Sequence, residues 1–284
     1  MPSPKKIDVK ALNPILSNES PATNTDAIGI FDSGVGGLSI AQCIEQQLPN
    51  EHLLYVADTL NAPYGEKSTI FIQQRVNSIA QWFIERKVKA IVVACNTATV
   101  SAIDQLRKNI SIPVIGVEPA IKPAVTISKS KKVAILVTKA TADNQRFLAL
   151  VAQYSHLSDV TVQPCPGLVE LIEQDKKGSV ECKLLLRTYL QPLLDKGVDT
   201  IVLGCTHYPL VKTLISEICG DSVAIMETAQ PVTQQLQRQL ASHLLINPNK
   251  TLATTQFYSS KSCADQEALF SHILQRPVIL NSYP

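Results

Sequence analysis

Short, continuous runs of Val, Ile, Leu and Ala alternate with longer stretches of helical period along most of this chain. That alternation leaves few folds open. The runs are "AIGIF" (27–31), "LLYVA" (53–57), "AIVVA" (90–94), "PVIGV" (113–117), "KVAILV" (132–137), "VTVQ" (160–163), "TIVLG" (200–204) and "VAIME" (223–227). Most do not alternate polar with apolar, so they suit strands buried on both faces, as in a parallel sheet covered by helices. Between them, 68–87 places Ile70, Ile72, Val76, Ile79, Trp82 and Phe83 near one helical face, behind Ser68 as N-cap. Further helices are expected over 166–175, with Pro166 at the first helical position, over 179–195, and over about 231–245. Strand then helix, repeated, is α/β architecture.

The chain also reads as two related halves. In each, one strand ends on a cysteine followed at once by small polar groups: "IVVACNTA" through Cys95 and "IVLGCTHY" through Cys205. In each, an earlier strand runs into a polar tip, "IGIFDSG" and "VAILVTKAT". Ligands of open α/β sheets bind at the carboxyl ends of strands. If the two units face each other, Cys95 and Cys205 meet across one cleft.

The tips carry the chemistry. "FDSGVGGLSI" follows a strand and opens a helix, with Asp32 and Ser33 at the strand tip. Its glycines offer backbone donors, but it lacks the Lys of a P-loop and the Gly-x-Gly-x-x-Gly spacing of a dinucleotide site. In "VADTLNAPYGEKS", Pro63, Tyr64 and Gly65 read as a turn, with the backbone donors of Tyr64 and Gly65 free for a ligand. A cysteine beside a helix N-terminus feels a positive dipole, so the expectation is a lowered thiol pKa. Asn96, Thr97 and Thr206 are compact donors suited to a carboxylate, and His207 could shuttle a proton to Cys205.

Composition excludes several classes. With 26 basic and 24 acidic residues the net charge is only +2, too small to argue for nucleic acid or an anionic membrane surface. No stretch approaches the roughly 18 apolar residues of a membrane span. Residues 1–26 lack an apolar signal core, and their Pro, Ser, Asn and Thr content reads as a mobile tail. The seven cysteines, an odd number, form no Cys-x-x-Cys pair, which leaves no zinc-ribbon or thioredoxin pattern. Free thiols in a reducing cytoplasm are expected. Two opposed thiols with no metal, haem, flavin or pyridoxal-phosphate signal suit stereoinversion at a carbon acid, which needs a base on one face and an acid on the other. A Cys95–Cys205 redox pair and a non-catalytic amino-acid-binding protein stay open as rivals.

Taken together, "GIFDSGVGGLSI", "YVADTLNAPYGEKS", "IVVACNTATVSA", "GVEPAIKPA", "CPGLVELIE" and "LGCTHYPLV" resemble the glutamate racemases, in order from about residue 28 to 230. The resemblance implies two pseudo-symmetric α/β domains, with mainly parallel sheets, facing each other across an active-site cleft. The first would take 28–117 with 230–284, and the second 118–229. It implies racemisation of L- and D-glutamate without a cofactor or metal, supplying D-glutamate for peptidoglycan. Cys95 and Cys205 would be the acid/base pair, assisted by Asp32 and His207 respectively. Asp32, Ser33, Tyr64, Gly65, Asn96, Thr97, Thr206 and His207 would surround the substrate, with Glu173 as a further cleft acid. A homodimer and a cell-wall-precursor regulator are the partners it raises. Aspartate or hydantoin racemisation on the same fold is the alternative. Two departures stand out. Ala140 replaces a glycine usual in the second-half loop, which puts a positive-φ contact there in doubt, although Thr138 and Thr141 remain. Glu227 and Thr228 replace an aspartate–serine pair with similar chemistry.

Overall fold

The computed structural model describes residues 22–283, so most of the expected N-terminal tail (1–26) lies outside the described residues. All eight expected runs form strands, with ends within a residue of the expectation: β1 (Ile28–Asp32), β2 (Leu53–Ala57), β3 (Ala90–Val93), β4 (Val114–Gly116), β5 (Lys132–Val137), β6 (Asp159–Pro164), β7 (Thr200–Leu203) and β8 (Ala224–Met226). Two more follow near the C-terminus, β9 (Thr255–Ser259) and β10 (Leu280–Ser282). They build two sheets. The first has six strands in the order β10-β9-β2-β1-β3-β4, and the second four in the order β6-β5-β7-β8. Every pairing is parallel. We call the parts built on them the first and second lobes.

Register explains why the two cysteines sit where they do. Phe31 pairs with Val93 in the first sheet, and Leu136 with Leu203 in the second. Chain leaving β1 and β3 therefore emerges side by side, as does chain leaving β5 and β7. Asp32 and Cys95 share one tip, and Thr138 and Cys205 share the other. The central strands β1, β3 and β7 are buried on both faces, as their continuous apolar runs require, while the edge strands β6 and β8 of the second sheet are only partly buried. One apolar cluster spans both lobes, joining Ile30, Val35 and Tyr55 of the first to Leu136, Leu203 and Tyr208 of the second. The other two clusters each cover the far face of one sheet.

The helices differ from expectation in three places. Helix Thr69–Glu85 is capped by the Ser68 side chain, which accepts from Phe71 N–H, as expected. Its buried stripe is Ile72, Val76, Ile79 and Phe83, but Ile70 is 66% exposed. Two residues before Ile72 is about 200° around the helix, which turns Ile70 to solvent. The helix expected over 166–175 is Leu168–Glu173, with Gly167 as its N-cap and Pro166 outside it. The helix expected over 231–245 runs Ala229–Ser242. Ala140 lies inside the helical turn Lys139–Ala142 and is not among the residues with positive φ. The doubt about a missing glycine there is therefore removed.

Candidate active site

Two chains of hydrogen bonds meet between the lobes, each starting at a cysteine. In the first lobe, Cys95 ends the turn after β3 and caps helix Asn96–Asn109, its Sγ accepting the Ala98 N–H at 3.5 Å. The same sulfur reaches Ser33 Oγ at 3.8 Å, and Ser33 Oγ donates to Asp32 Oδ1 at 3.3 Å. In the second lobe, Cys205 Sγ lies 3.9 Å from His207 Nδ1, and His207 Nε2 lies 2.6 Å from Glu173 Oε1. Each thiol is thus backed by a polar group and then a carboxyl group.

The two chains are tied to each other. Thr206 Oγ1 donates to Asp32 Oδ2 at 2.7 Å, and Glu173 Oε1 accepts the Val35 N–H at 2.8 Å. Gly34 is required for this: a Cβ there would collide with the Glu173 carboxylate. Thr97 of the first lobe meets two hydroxyls of the second, Thr138 at 2.9 Å and Thr141 at 3.3 Å. Asn96 donates to Val117 O at 3.4 Å, while its buried Oδ1 has no partner among the described residues. All seven cysteines are free thiols, Cys95 and Cys205 included.

Residues 28–236 match the Asp/Glu/hydantoin racemase family. The chain belongs to that family. It is 44% identical to a glutamate racemase of Methylococcus capsulatus over 84% of this chain and 88% of that one. Its fold matches a solved glutamate racemase isoform of Bacillus anthracis with a TM-score of 0.84 at 29% identity, covering 92% of this chain and 98% of the other. The glutamate racemase of Escherichia coli, solved with L-glutamate and the activator UDP-MurNAc-Ala, matches with a TM-score of 0.79 at 29% identity, over 90% and 98%. This member of the family is an amino-acid racemase, an isomerase, as its glutamate racemase relatives are.

Electrostatics in this racemase correct one expectation. The Cys95 thiol is pushed up, not down. Burial is the main cause, and the nearby charges of Asp32 and Cys205 add to it, outweighing the Ala98 N–H and Ser33. Asp32 is raised for the same leading reason, against the opposing effects of His207, Thr206 and Gly34. His207 is held well above the ordinary imidazole value. Burial opposes this, but the hydrogen bonds to Cys205 and Glu173 and the charges of Asp32 and Glu173 win. A protonated imidazole donates from both nitrogens, so Nδ1 offers its proton toward Cys205.

The loop residues Tyr64 and Gly65 are held from both lobes. The Tyr64 hydroxyl donates to Asp58 Oδ2 at 2.6 Å, and its ring packs in the apolar cluster that holds Cys95. Gly65 approaches Thr138 so closely that a Cβ would lie 2.9 Å from the Thr138 Cβ. Reading the residues alone missed Asp58. It is fully buried just past the tip of β2, one residue beyond the Ala57 that pairs with Asp32 of β1, and is held by Arg75 at 2.8 and 2.9 Å. The strand-tip rule that singles out Asp32 applies equally to "VAD". Glu227 forms an ion pair with Lys212, and Thr228 stands at the N-cap position of helix Ala229–Ser242 without a side-chain capping bond.

Proposed function

We propose that this racemase interconverts L- and D-glutamate by a two-cysteine mechanism, with Cys95 and Cys205 on opposite faces of the α-carbon. The observation that carries the reading is the pairing of the two backed thiols, one from each lobe, at the tips of matched strands. One thiolate removes the α-proton while the other thiol delivers one, and the roles exchange with direction. Ser33 and Asp32 serve Cys95 as a proton path. Protonated His207, oriented by Glu173, stabilises a Cys205 thiolate and returns its proton. Thr97, Thr206 and the Asn96 amide bind the substrate carboxylates, and a substrate ammonium would satisfy the orphaned Asn96 Oδ1. Gly65 and Tyr64 close the site from the loop. Donors at a dry site stabilise the carbanionic transition state, which is where the rate comes from.

In this reading residues 28–117 with 230–284 form one domain and 118–229 the other. The enzyme works in the cytoplasm without a cofactor and supplies D-glutamate for peptidoglycan. The UDP-MurNAc-Ala activator named for the Escherichia coli protein supports a regulator of that type here, and a homodimer is the assembly to look for. Circular dichroism of the protein with L-glutamate, and then with D-glutamate, in deuterium oxide and with no cofactor added, tests the reaction. Decay to zero from both sides, with deuterium entering at Cα, is the expected result. Inert glutamate with active aspartate or hydantoin would move the substrate within the family. Inertness to all three would sink the mechanism.

A further inference from the structure

A small cavity of about 50 Å³ opens along the seam between the lobes, and Cys165 in its wall is near enough to Cys205 for the two thiols to interact electrostatically. Its walls come from both sides: Gly65 and Glu66 from the first lobe, and Thr138, Lys139, Cys165 and Glu170 from the second. That volume holds only a few waters, so an amino acid enters the cavity only when the seam parts. The seam is narrow where Gly65 faces Thr138. Next along the same loop is Glu66, and facing it on helix Leu168–Glu173 is Glu170, half-buried. Neither carboxylate has a role in the chemistry proposed above.

We propose that Glu66 and Glu170 are a charge filter at the entrance to the site, making entry of an anionic amino acid easier as Glu170 takes up a proton. This rests on the racemase reading of the site. Two carboxylates face one ammonium at the cavity, that of Lys139, and the cationic His207 behind them is already paired with Glu173, so the mouth carries excess negative charge where a net-anionic dicarboxylate must pass. The other groups facing Glu170 are His207, which favours its ionised form, and the phenols of Tyr189 and Tyr208. The Glu170 carboxyl is raised from its ordinary value, chiefly by burial, with Glu66 adding through its charge and a hydrogen bond. The sign follows. As pH falls through the raised value Glu170 loses its charge, repulsion of the substrate weakens, and KM drops. As pH rises the repulsion returns. The effect acts on entry and not on the thiols, so kcat stays nearly constant. Added salt screens it.

The test is KM and kcat for both glutamate enantiomers between about pH 5.5 and 8.5, at low and high NaCl, for the parent, Glu66→Gln and Glu170→Gln. Either substitution should lower KM at pH 8 by about three- to tenfold, the scale of one partly screened charge. It should also flatten the pH and salt dependence of KM and leave kcat within about twofold. A KM that tracks the parent at every pH and salt overturns the proposal. An assay independent of turnover separates this from failure of the racemase reading. Alkylation of Cys95 and Cys205 by anionic iodoacetate and by neutral iodoacetamide is followed by peptide mass spectrometry. Glu170→Gln should raise the iodoacetate rate relative to iodoacetamide by about the same factor. An unchanged ratio overturns the filter, whether or not the parent racemises glutamate.

Discussion

Thr206, at the tip of the second lobe, donates its hydroxyl to Asp32, at the tip of the first, across 2.7 Å, and both side chains are buried. The bond crosses from the Cys205 side to the carboxyl group that backs Cys95. It also lowers the Asp32 carboxyl, partly offsetting the burial that raises it. Thr206→Val keeps the shape and removes the donor. Loss of one hydrogen bond to a charged group costs about 1.5–3 kcal/mol, so kcat/KM should fall by about tenfold to a hundredfold. Asp32 should titrate higher still. A pH profile of kcat/KM whose acidic limb does not move upward would count against this role.

His207 is poised through Glu173. The hydrogen bond and charge of Glu173 help hold the imidazole above its ordinary value against burial. In Glu173→Gln that support weakens and the imidazole value falls. The alkaline limb of kcat should therefore move to lower pH. Stability follows the same sign. A group raised in the folded state stabilises it fully below the unfolded value, near 6.5, and loses that contribution as pH rises through the folded value. Urea unfolding should show the stability gap between parent and variant shrinking at high pH.

Much of the architecture was legible, because strands buried on both faces leave unmistakable apolar runs. β9 and β10 were not, for a physical reason. "TQFYS" is polar and only partly buried, and β10 is a three-residue edge strand with two exposed residues. Asp32, Ser33, Asn96, Thr97, Thr206, His207 and the two cysteines were legible at strand tips, whereas Tyr64 and Gly65 sit in a later turn and Glu173, at the end of helix Leu168–Glu173, is implied by the resemblance alone. Which tips touch was not, since the pairs Thr206–Asp32, Glu173–Val35 and Thr97–Thr138 are made by lobe packing. The direction of the Cys95 shift was misjudged because a helix N-terminus is visible in a sequence and the depth of burial is not. Asp58 escaped notice because its partners, Tyr64 and Arg75, come from a later loop and helix.

Asp58 predicts a stability effect. Its carboxylate is fully buried and held by two Arg75 nitrogens, the Tyr64 hydroxyl and the Asn61 amide. Arg75→Leu leaves a buried charge without its cation, which costs several kcal/mol in such sites. Arg75 remains 24% exposed, so about 3 kcal/mol is expected, read as a lower urea midpoint with unchanged slope. Tyr64 packs with Cys95, so activity at low temperature should also fall. A stability within about 0.5 kcal/mol of the parent would show that Tyr64 and Asn61 satisfy Asp58 without the cation.

The two thiols should separate in a one-sided experiment. Cys95→Ser and Cys205→Ser should each lose racemisation by about 10²–10⁴-fold, the usual worth of a general acid or base. Each variant keeps one competent thiol, on one face of Cα. That thiol can still remove a proton from the enantiomer whose Cα–H faces it and return a deuteron to the same face. Each variant in deuterium oxide should therefore exchange the α-proton of one enantiomer without inverting it, and the two should choose opposite enantiomers. Nuclear magnetic resonance of the Cα–H signal against circular dichroism reads exchange and inversion separately. If both variants exchange the same enantiomer, the thiols do not occupy opposite faces. The symmetry of the two lobes would then be structural and not chemical.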